Sequence, residues 1–182
     1  WSATAIRATE RFIRHSSTSM AAKTKAYSIL RRSHTRPARR FALSRLLSKE
    51  VAPRERRMAA RALSHVMEPG LVPILIDELK RQPPLVRPAV AAVLRRITGY
   101  TREVSWEEAT EREAAGAVAG WQNWWHRYRE ESREEWLIRS FAEHGFDARD
   151  VDDLEAVDEL IPLLRGTPDH VAYNANRLIH QA

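Results

Sequence analysis

The chain has 182 residues, of which 43% are hydrophobic and 30% charged, and it contains no cysteine. This composition is close to that of an average globular domain, so extensive disorder is not expected, and the lack of cysteine excludes disulfides and thiolate metal sites. The longest stretch without a charged residue, 114–126, is too short for a membrane span, so the sequence predicts a soluble protein.

The formal net charge of +6 is unevenly distributed along the chain. Residues 1–67 contain 16 Lys and Arg against 3 acids, which gives +13, whereas residues 68–182 contain 14 against 21, which gives −7. A basic half joined to an acidic half suggests that one end contacts phosphate, an anionic surface or an acidic partner. The alternative is that the arginines only solvate helical surfaces.

Helical signals follow one another along the whole sequence. Apolar residues recur at i, i+3, i+4 and i+7, and no run of alternating β-branched residues bounded by tight-turn glycines occurs. The sequence therefore predicts an all-α protein. The predicted helices span 3–14, 20–32, 37–48, 53–67, 70–81, 84–97, 106–129, 132–144, 150–165 and 168–181.

Local residues support several of these boundaries. Ser105 with Glu108, and Ser132 with Glu135, have the spacing of capping boxes, in which hydroxyl and carboxylate satisfy free backbone amides. Prolines stand where a helix can begin without losing a hydrogen bond: Pro53, Pro69, Pro84 and Pro168.

An internal repeat indicates the architecture. Segment 55–63 has a basic residue at its second place, a small residue at its fifth, and a small–large pair at its eighth and ninth. The same register recurs at 86–94, more loosely at 22–30, and again at 171–179 with Ala172 in the basic place. The starts at 22, 55 and 86 are 33 and 31 residues apart, which is typical of a repeat array. The sequence predicts an α-solenoid of antiparallel helix pairs.

These units resemble HEAT repeats, particularly the bacterial branch similar to the phycobilisome-lyase type of HEAT-like repeat. Segment 94–100 resembles the end of such a repeat, and the Thr-Gly turn followed by Trp-x-x-Trp-Trp at 121–125 resembles an insertion common in bacterial HEAT-repeat proteins. The resemblance covers about residues 37–182. It implies a scaffold or partner-binding surface and carries no specific activity, because function depends on sites rather than on the fold.

The repeat register and the insertion divide the chain into four expected parts. Basic N-terminal helices occupy 1–36, and HEAT-like repeats occupy 37–100. Trp-rich inserted helices follow in 101–145, and a C-terminal HEAT-like repeat occupies 146–182. The last helix lacks a polar cap, so we expect either a longer array or a partner that covers this end.

An aromatic cluster is predicted on one helix face. Trp121, Trp124, Trp125 and Tyr128 fall at i, i+3, i+4 and i+7, and Trp136 is expected to join them. Exposed, such a stripe could anchor a peptide or stack against bases. Core packing is the preferred interpretation, because leaving four large aromatic side chains in water is costly.

Arginines form the candidate partner-binding surface. Five of them lie without any acid in segment 31–40, and three near residue 55 could extend the patch. Planar guanidinium groups suit carboxylates and phosphates, although no aromatic residues are interleaved with this basic run. The candidate residues are Arg31, Arg32, Arg36, Arg39, Arg40, Arg54, Arg56 and Arg57.

Signals for catalysis, metals and cofactors are absent from the sequence. The acidic run 147–159 lacks the spacing of a calcium-binding loop. The seven histidines form no His-x-x-x-His pair, and no nucleophile-elbow or phosphate-loop motif occurs. We therefore expect no catalytic residue, no metal site and no cofactor.

These observations lead to a non-catalytic scaffold or adaptor that binds another protein, particularly an acidic one, as a structural subunit of a larger assembly. A nucleic-acid-binding module that places the same arginines on phosphates is the alternative. A cytoplasmic location is expected. A processed or exported form is the alternative, because the chain begins at Trp1 and residues 1–40 have the composition of a transit peptide.

Overall fold

The fold consists of helices throughout the part of the chain that the structure describes. The computed structural model describes residues 3–15, 19–102, 104–145, 171–172 and 174–176, and it contains no β-strand within them. The predicted all-α fold is confirmed for these residues. The α-helices are α1 (Ala3–Arg14), α2 (Met20–Ser33), α3 (Arg36–Leu47), α4 (Pro53–Ala62), α5 (Val72–Arg81), α6 (Arg87–Thr98), α7 (Glu111–Tyr128) and α8 (Arg133–Glu143), with a short 3-10 helix, Pro69–Leu71, before α5.

The C-terminal predictions can be compared only in part. The predicted helix 150–165 lies outside the described residues. Of the predicted helix 168–181, residues 171–172 and 174–176 are described, and they are helical. Within the described part of the chain, no helix is both long enough and apolar enough to cross a lipid bilayer.

Four predicted helix boundaries need correction. The predicted helix 70–81 becomes an α-helix only at Val72, after the 3-10 helix Pro69–Leu71. α4 ends at Ala62 rather than at 67, because the chain turns at 63–65. The predicted helix 84–97 begins only at Arg87, because Pro84 and the two residues after it form a turn. The predicted helix 106–129 begins at Glu111, after a separate turn at 106–108. The bounds of α1, α2, α3 and α8 agree with the predictions to within one residue.

The start of α7 is fixed by a capping box that the sequence analysis did not choose. The Thr110 hydroxyl accepts from the backbone N of Glu113 at 3.3 Å, and the Glu113 carboxylate accepts from the backbone N of Thr110 at 2.8 Å. The predicted box of Ser105 with Glu108 is therefore wrong. The box of Ser132 with Glu135 at the start of α8 is confirmed.

Replacing Thr110 with alanine tests this corrected boundary. Loss of the N-cap is expected to lower the free energy of unfolding by about 1 kcal/mol. Ser105→Ala is the matched control, because that hydroxyl makes no cap, and it should leave stability unchanged. Urea unfolding followed by circular dichroism measures both. A larger loss for Ser105→Ala would place the helix start back where the sequence suggested it.

Neighbouring helices in the first two thirds of the chain pack in a regular way. α3 packs on α4 and α5 on α6 as sequence neighbours, while α2 packs on α4 and α4 on α6. Their shared core is rich in small and branched residues. Side chains at the fifth and ninth places of the three repeat copies belong to it: Ala26, Leu30, Ala59, Leu63, Val90 and Leu94.

Side-chain contacts show the direction of these helices. Lys23, near the start of α2, pairs with Glu55, near the start of α4. Arg96, near the end of α6, donates to the carbonyl of Ser64, just after the end of α4, at 3.2 Å. α2, α4 and α6 therefore run in the same direction. Arg45, near the end of α3, also reaches Glu55, so α3 runs against them.

α7 departs from this alternation. The guanidinium group of Arg87, the first residue of α6, donates to both carboxylate oxygens of Glu111, the first residue of α7, at 3.1 and 3.2 Å. At the other end of both helices, Tyr100 follows α6 and packs on α7. Its ring centroid lies 4.8 Å from that of Trp121 and 5.4 Å from that of Trp124. α7 thus runs in the direction of α6 and packs along α5.

α8 contacts the end of α6 through a glycine. Gly99 ends α6 in the left-handed region with a φ of 72°. The Ser140 hydroxyl of α8 donates to the carbonyl of Gly99 at 2.9 Å, and Arg133 donates to the carbonyl of Ile97 at 3.1 Å. A side chain at position 99 would occupy the space that Ser140 fills.

Candidate functional site

Five of the eight candidate arginines lie where the chain reverses between α2 and α3. His34 ends α2 in the left-handed region with a φ of 51°. Thr35 then caps α3, since its hydroxyl accepts from the backbone N of Ala38 at 3.4 Å. This short connection brings the last turn of α2 and the first turns of α3 to the same end of the packed helices. It places together Arg31, Arg32, Arg36, Arg39 and Arg40.

Most of these arginines have no internal partner. Arg31, Arg36 and Arg40 are exposed and make neither a hydrogen bond nor an ion pair with any described residue. Arg32 donates only to the Ser28 hydroxyl, at 3.2 Å. Such guanidinium groups can bind an anion without breaking an existing ion pair, which favours a contact with an acidic ligand.

A groove opens between the ends of α2 and α4, beside the unpaired arginines. It encloses about 680 Å³ and is lined by Arg31 and Arg39, by the rings of His34 and His65, and by Glu68. The two imidazole rings meet edge to face with their centroids 5.3 Å apart. Glu68 is the only acidic residue among the described residues that line the groove, so the lining is predominantly basic.

The single acidic residue of the groove pairs with one of its arginines. Nη1 of Arg39 donates to Oε2 of Glu68 at 3.3 Å, and the two side chains are 36% and 58% exposed. An ion pair this exposed contributes about 0–1 kcal/mol. Sequence reasoning missed Glu68 and His65, although the repeat spacing of about 33 residues, which places equivalent helix ends side by side, could have indicated them.

The remaining three candidate arginines lie at the other end of α4. Arg54 is exposed. Nη2 of Arg57 lies 3.8 Å from Oε1 of Glu107. Arg56 is half-buried, with an Nε that makes no hydrogen bond. The rise of an α-helix separates this end of α4 from the groove by roughly 10 Å. The structure therefore does not bring the eight arginines into one patch.

A buried carboxylate joins three helices near the start of α4. Glu55 is only 3% exposed. Its Oε2 accepts from Nζ of Lys23 at 2.8 Å, and its Oε1 accepts from Nη2 and Nε of Arg45 at 2.7 and 3.0 Å. Oη of Tyr27 donates to the same Oε1 at 3.1 Å. Sequence analysis did not single out these residues, because pairing across helices leaves no local pattern.

The surroundings of this carboxylate shift the pKa of two groups. Burial alone would raise the pKa of Glu55, but the hydrogen bonds from Lys23 and Arg45 outweigh it and hold the pKa below its usual value. Burial, together with the negative charge of Glu55, raises the pKa of Tyr27. Glu55 is therefore ionised and Tyr27 neutral near neutral pH, and Glu55 is buried between the helices that its contacts join. The cluster therefore acts as a structural tether, in which Glu55 of α4 holds α2 and α3 through these hydrogen bonds.

Other arginines outside the candidate set are also engaged internally. Arg87 donates through Nε to the carbonyl of Gln82 at 2.9 Å in addition to its contacts with Glu111. Arg139 donates to Glu131 at 2.8 Å, and its guanidinium group lies 4.2 Å from the ring centroid of Tyr128. The unpaired arginines beside the groove therefore differ from these internally paired ones.

The aromatic cluster lies mainly in the core. Trp121, Trp124 and Trp136 are buried, whereas Trp125 and Tyr128 are half-buried and pack against the same core. The rings of Trp124 and Trp136 are 5.3 Å apart, and Nε1 of Trp136 donates to the carbonyl of Tyr128 at 2.7 Å. Buried rings cannot stack on nucleotide bases, so this arrangement favours the core interpretation over the stacking platform.

Metal-binding geometry is not found in the described part of the chain, where no group of three or more His, Asp or Glu residues is placed to hold a metal ion. The acidic run 147–159 lies outside the described residues. Comparison of the chain with protein-family models, with curated proteins and with solved structures gives no match.

Proposed function

We propose that the protein is a non-catalytic, HEAT-like α-solenoid that binds an acidic protein partner through the surface around the α2–α3 connection. Two observations support the solenoid. The second helices of successive pairs, α2, α4 and α6, pack on one another in the same direction, and equivalent positions of the three repeat copies are buried. In this interpretation α7 and α8 are the Trp-bearing insertion that interrupts the stacking.

The observation that carries the proposed binding function is the set of unpaired arginines. Arg31, Arg36 and Arg40 are exposed on two packed helices and have no partner among the described residues. A surface held by packed helices loses little conformational entropy on association, so its charges are available without reordering. An acidic protein partner would be attracted electrostatically to these arginines, and the packed helices would hold the arginines in place for it.

Nucleic acid is the less well supported partner. Tyr27 of α2 and Phe41 of α3 are buried, and so are the central tryptophans of the aromatic cluster. The exposed aromatic ring among these arginines is the imidazole of His34, which meets His65 edge to face. Bases would therefore find no exposed Tyr, Phe or Trp among the described residues of α2 and α3 on which to stack. Phosphate contacts alone would give weak binding that depends steeply on salt and not on sequence.

Removal of three surface charges tests the proposed function. The triple variant Arg32→Gln, Arg36→Gln, Arg40→Gln is expected to bind a fluorescein-labelled polyglutamate peptide about ten-fold more weakly at low salt, since each exposed ion pair contributes about 0.5 kcal/mol. Fluorescence anisotropy measures the affinity, and a random-sequence DNA duplex serves as the competing ligand across a salt titration.

The matched control removes the same charge elsewhere. Arg112→Gln, Arg127→Gln, Arg129→Gln changes three exposed arginines at the ends of α7 and should weaken peptide binding much less. Equal losses in both triple variants would show that net charge alone attracts the peptide, and the proposal would be wrong. Duplex binding tighter than peptide binding, and lost only in the first variant, would assign the surface to nucleic acid instead.

A further inference from the structure

The groove between α2 and α4 already holds one carboxylate on one of its arginines. Glu68 follows α4 along the chain and reaches Arg39 on α3, while Arg31, which also lines the groove, has no partner among the described residues. The guanidinium group of Arg39 uses Nη1 for this contact, and its Nε makes no hydrogen bond. Arg39 is therefore only partly satisfied by Glu68.

From this arrangement we infer that the groove receives an acidic side chain of the protein partner, which binds Arg31 and Arg39 and displaces Glu68. This inference rests on the proposed function and names the residues that would select the partner. Glu68 would act as an internal competitor, because it presents to Arg39 the same carboxylate that the partner presents. A groove of about 680 Å³ is large enough for one side chain with its flanking backbone.

The chemistry of the lining favours a carboxylate on a peptide. His34 and His65, whose imidazole rings meet edge to face, line the groove together with the apolar residues Leu30, Val66 and Met67. Aliphatic parts of a glutamate or aspartate segment would rest on these side chains, while its charge meets two guanidinium groups. Displacing the exposed Glu68 would be easy, because an exposed ion pair changes an equilibrium only a few-fold.

Neutralising the internal competitor tests the inference. Glu68→Gln is expected to bind the labelled polyglutamate peptide two- to five-fold more tightly than the unchanged protein, because Arg39 is then available without competition. Glu50→Gln is the matched control: it removes another exposed acid, makes the same change in net charge, and lies outside the groove. It should give a smaller gain.

A double substitution isolates the role of Arg39. Arg39→Gln alone should weaken peptide binding several-fold, and in that background Glu68→Gln should no longer improve it. Equal gains from Glu68→Gln and Glu50→Gln, or a gain that persists without Arg39, would overturn the inference. Unfolding midpoints measured alongside show whether each variant is folded.

The same experiments separate this inference from the proposed function. Loss of binding in the Arg32, Arg36 and Arg40 variant, combined with no specific effect of Glu68→Gln, would leave the surface function intact and refute the groove. Absence of any peptide binding by the unchanged protein would refute both. A phosphoserine peptide that binds the groove more than ten-fold tighter than its glutamate counterpart would refute the carboxylate assignment and make the groove a phosphate site.

Discussion

Replacing Glu55 with alanine is expected to lower the free energy of unfolding by about 3 to 5 kcal/mol, the range seen when one partner of a buried ion pair is removed. The loss is large because Glu55 accepts hydrogen bonds from Lys23, Tyr27 and Arg45, which belong to two other helices. Without the carboxylate, two cationic groups would remain partly buried and unpaired. Urea unfolding followed by circular dichroism gives the change.

An exposed ion pair provides the control for this variant. On α5, Oδ2 of Asp77 lies 3.6 Å from Nη2 of Arg81, and both side chains are more than half exposed. Asp77→Ala should therefore lower the free energy of unfolding by less than about 1 kcal/mol. Similar losses for Glu55→Ala and Asp77→Ala would show that the buried cluster contributes nothing special.

Acid titration gives a second readout of the same cluster. The folded-state pKa of Glu55 lies below its usual value of 4.5, so the unfolded chain binds a proton more readily than the folded one. The stabilisation from Glu55 is therefore complete above pH 4.5 and is lost as the pH falls through the lower folded pKa. Glu55→Gln should show a weaker decline of stability across that acidic range than the unchanged protein.

Replacing Gly99 with alanine is expected to destabilise the fold by roughly 2 to 5 kcal/mol, from the cost of left-handed backbone and of overpacking together. The φ of 72° disfavours any side chain, and a methyl group would lie 2.6 Å from Cβ and 2.8 Å from Oγ of Ser140. Either α8 would move away from the end of α6, or the left-handed turn would be lost.

Two other glycines separate these two causes. Gly145 has a φ of 84° but open space around it, so Gly145→Ala should show the backbone cost alone. Gly70 has neither a positive φ nor a close neighbour, so Gly70→Ala should change stability little. The expected order of losses is Gly99, Gly145, Gly70. Equal losses at Gly99 and Gly145 would show that the contact with Ser140 adds nothing.

Helix positions were largely predictable because they depend on local patterns. Apolar spacing located α1, α2, α3 and α8 to within one residue. The start of α7 was not predictable in the same way, because Ser105 and Thr110 both precede a glutamate at the capping distance. Trp106, directly after Ser105, is buried in a separate turn at 106–108, and the helix begins only after Thr110.

From the sequence, the candidate site could be predicted only as a segment rich in arginine. Residues 31–40 could be recognised as basic from the sequence, but an arginine that binds a partner and one that binds a neighbouring helix look alike there. Arg45 lies close to this segment in sequence and donates to Glu55 through Nε and Nη2, whereas Arg40 is unpaired among the described residues. The difference depends on which acids the fold brings near, and those lie many residues away.

The tether at Glu55 limits how the chain can be shortened. A fragment that begins at residue 37, where the HEAT-like repeats were expected to start, would keep Arg45 but lose both Lys23 and Tyr27. The side of α4 that α2 covers, including Met58 beside Thr24, would then face water, and such an apolar face favours self-association. Fragments intended for binding studies should therefore keep the chain from Met20 onward.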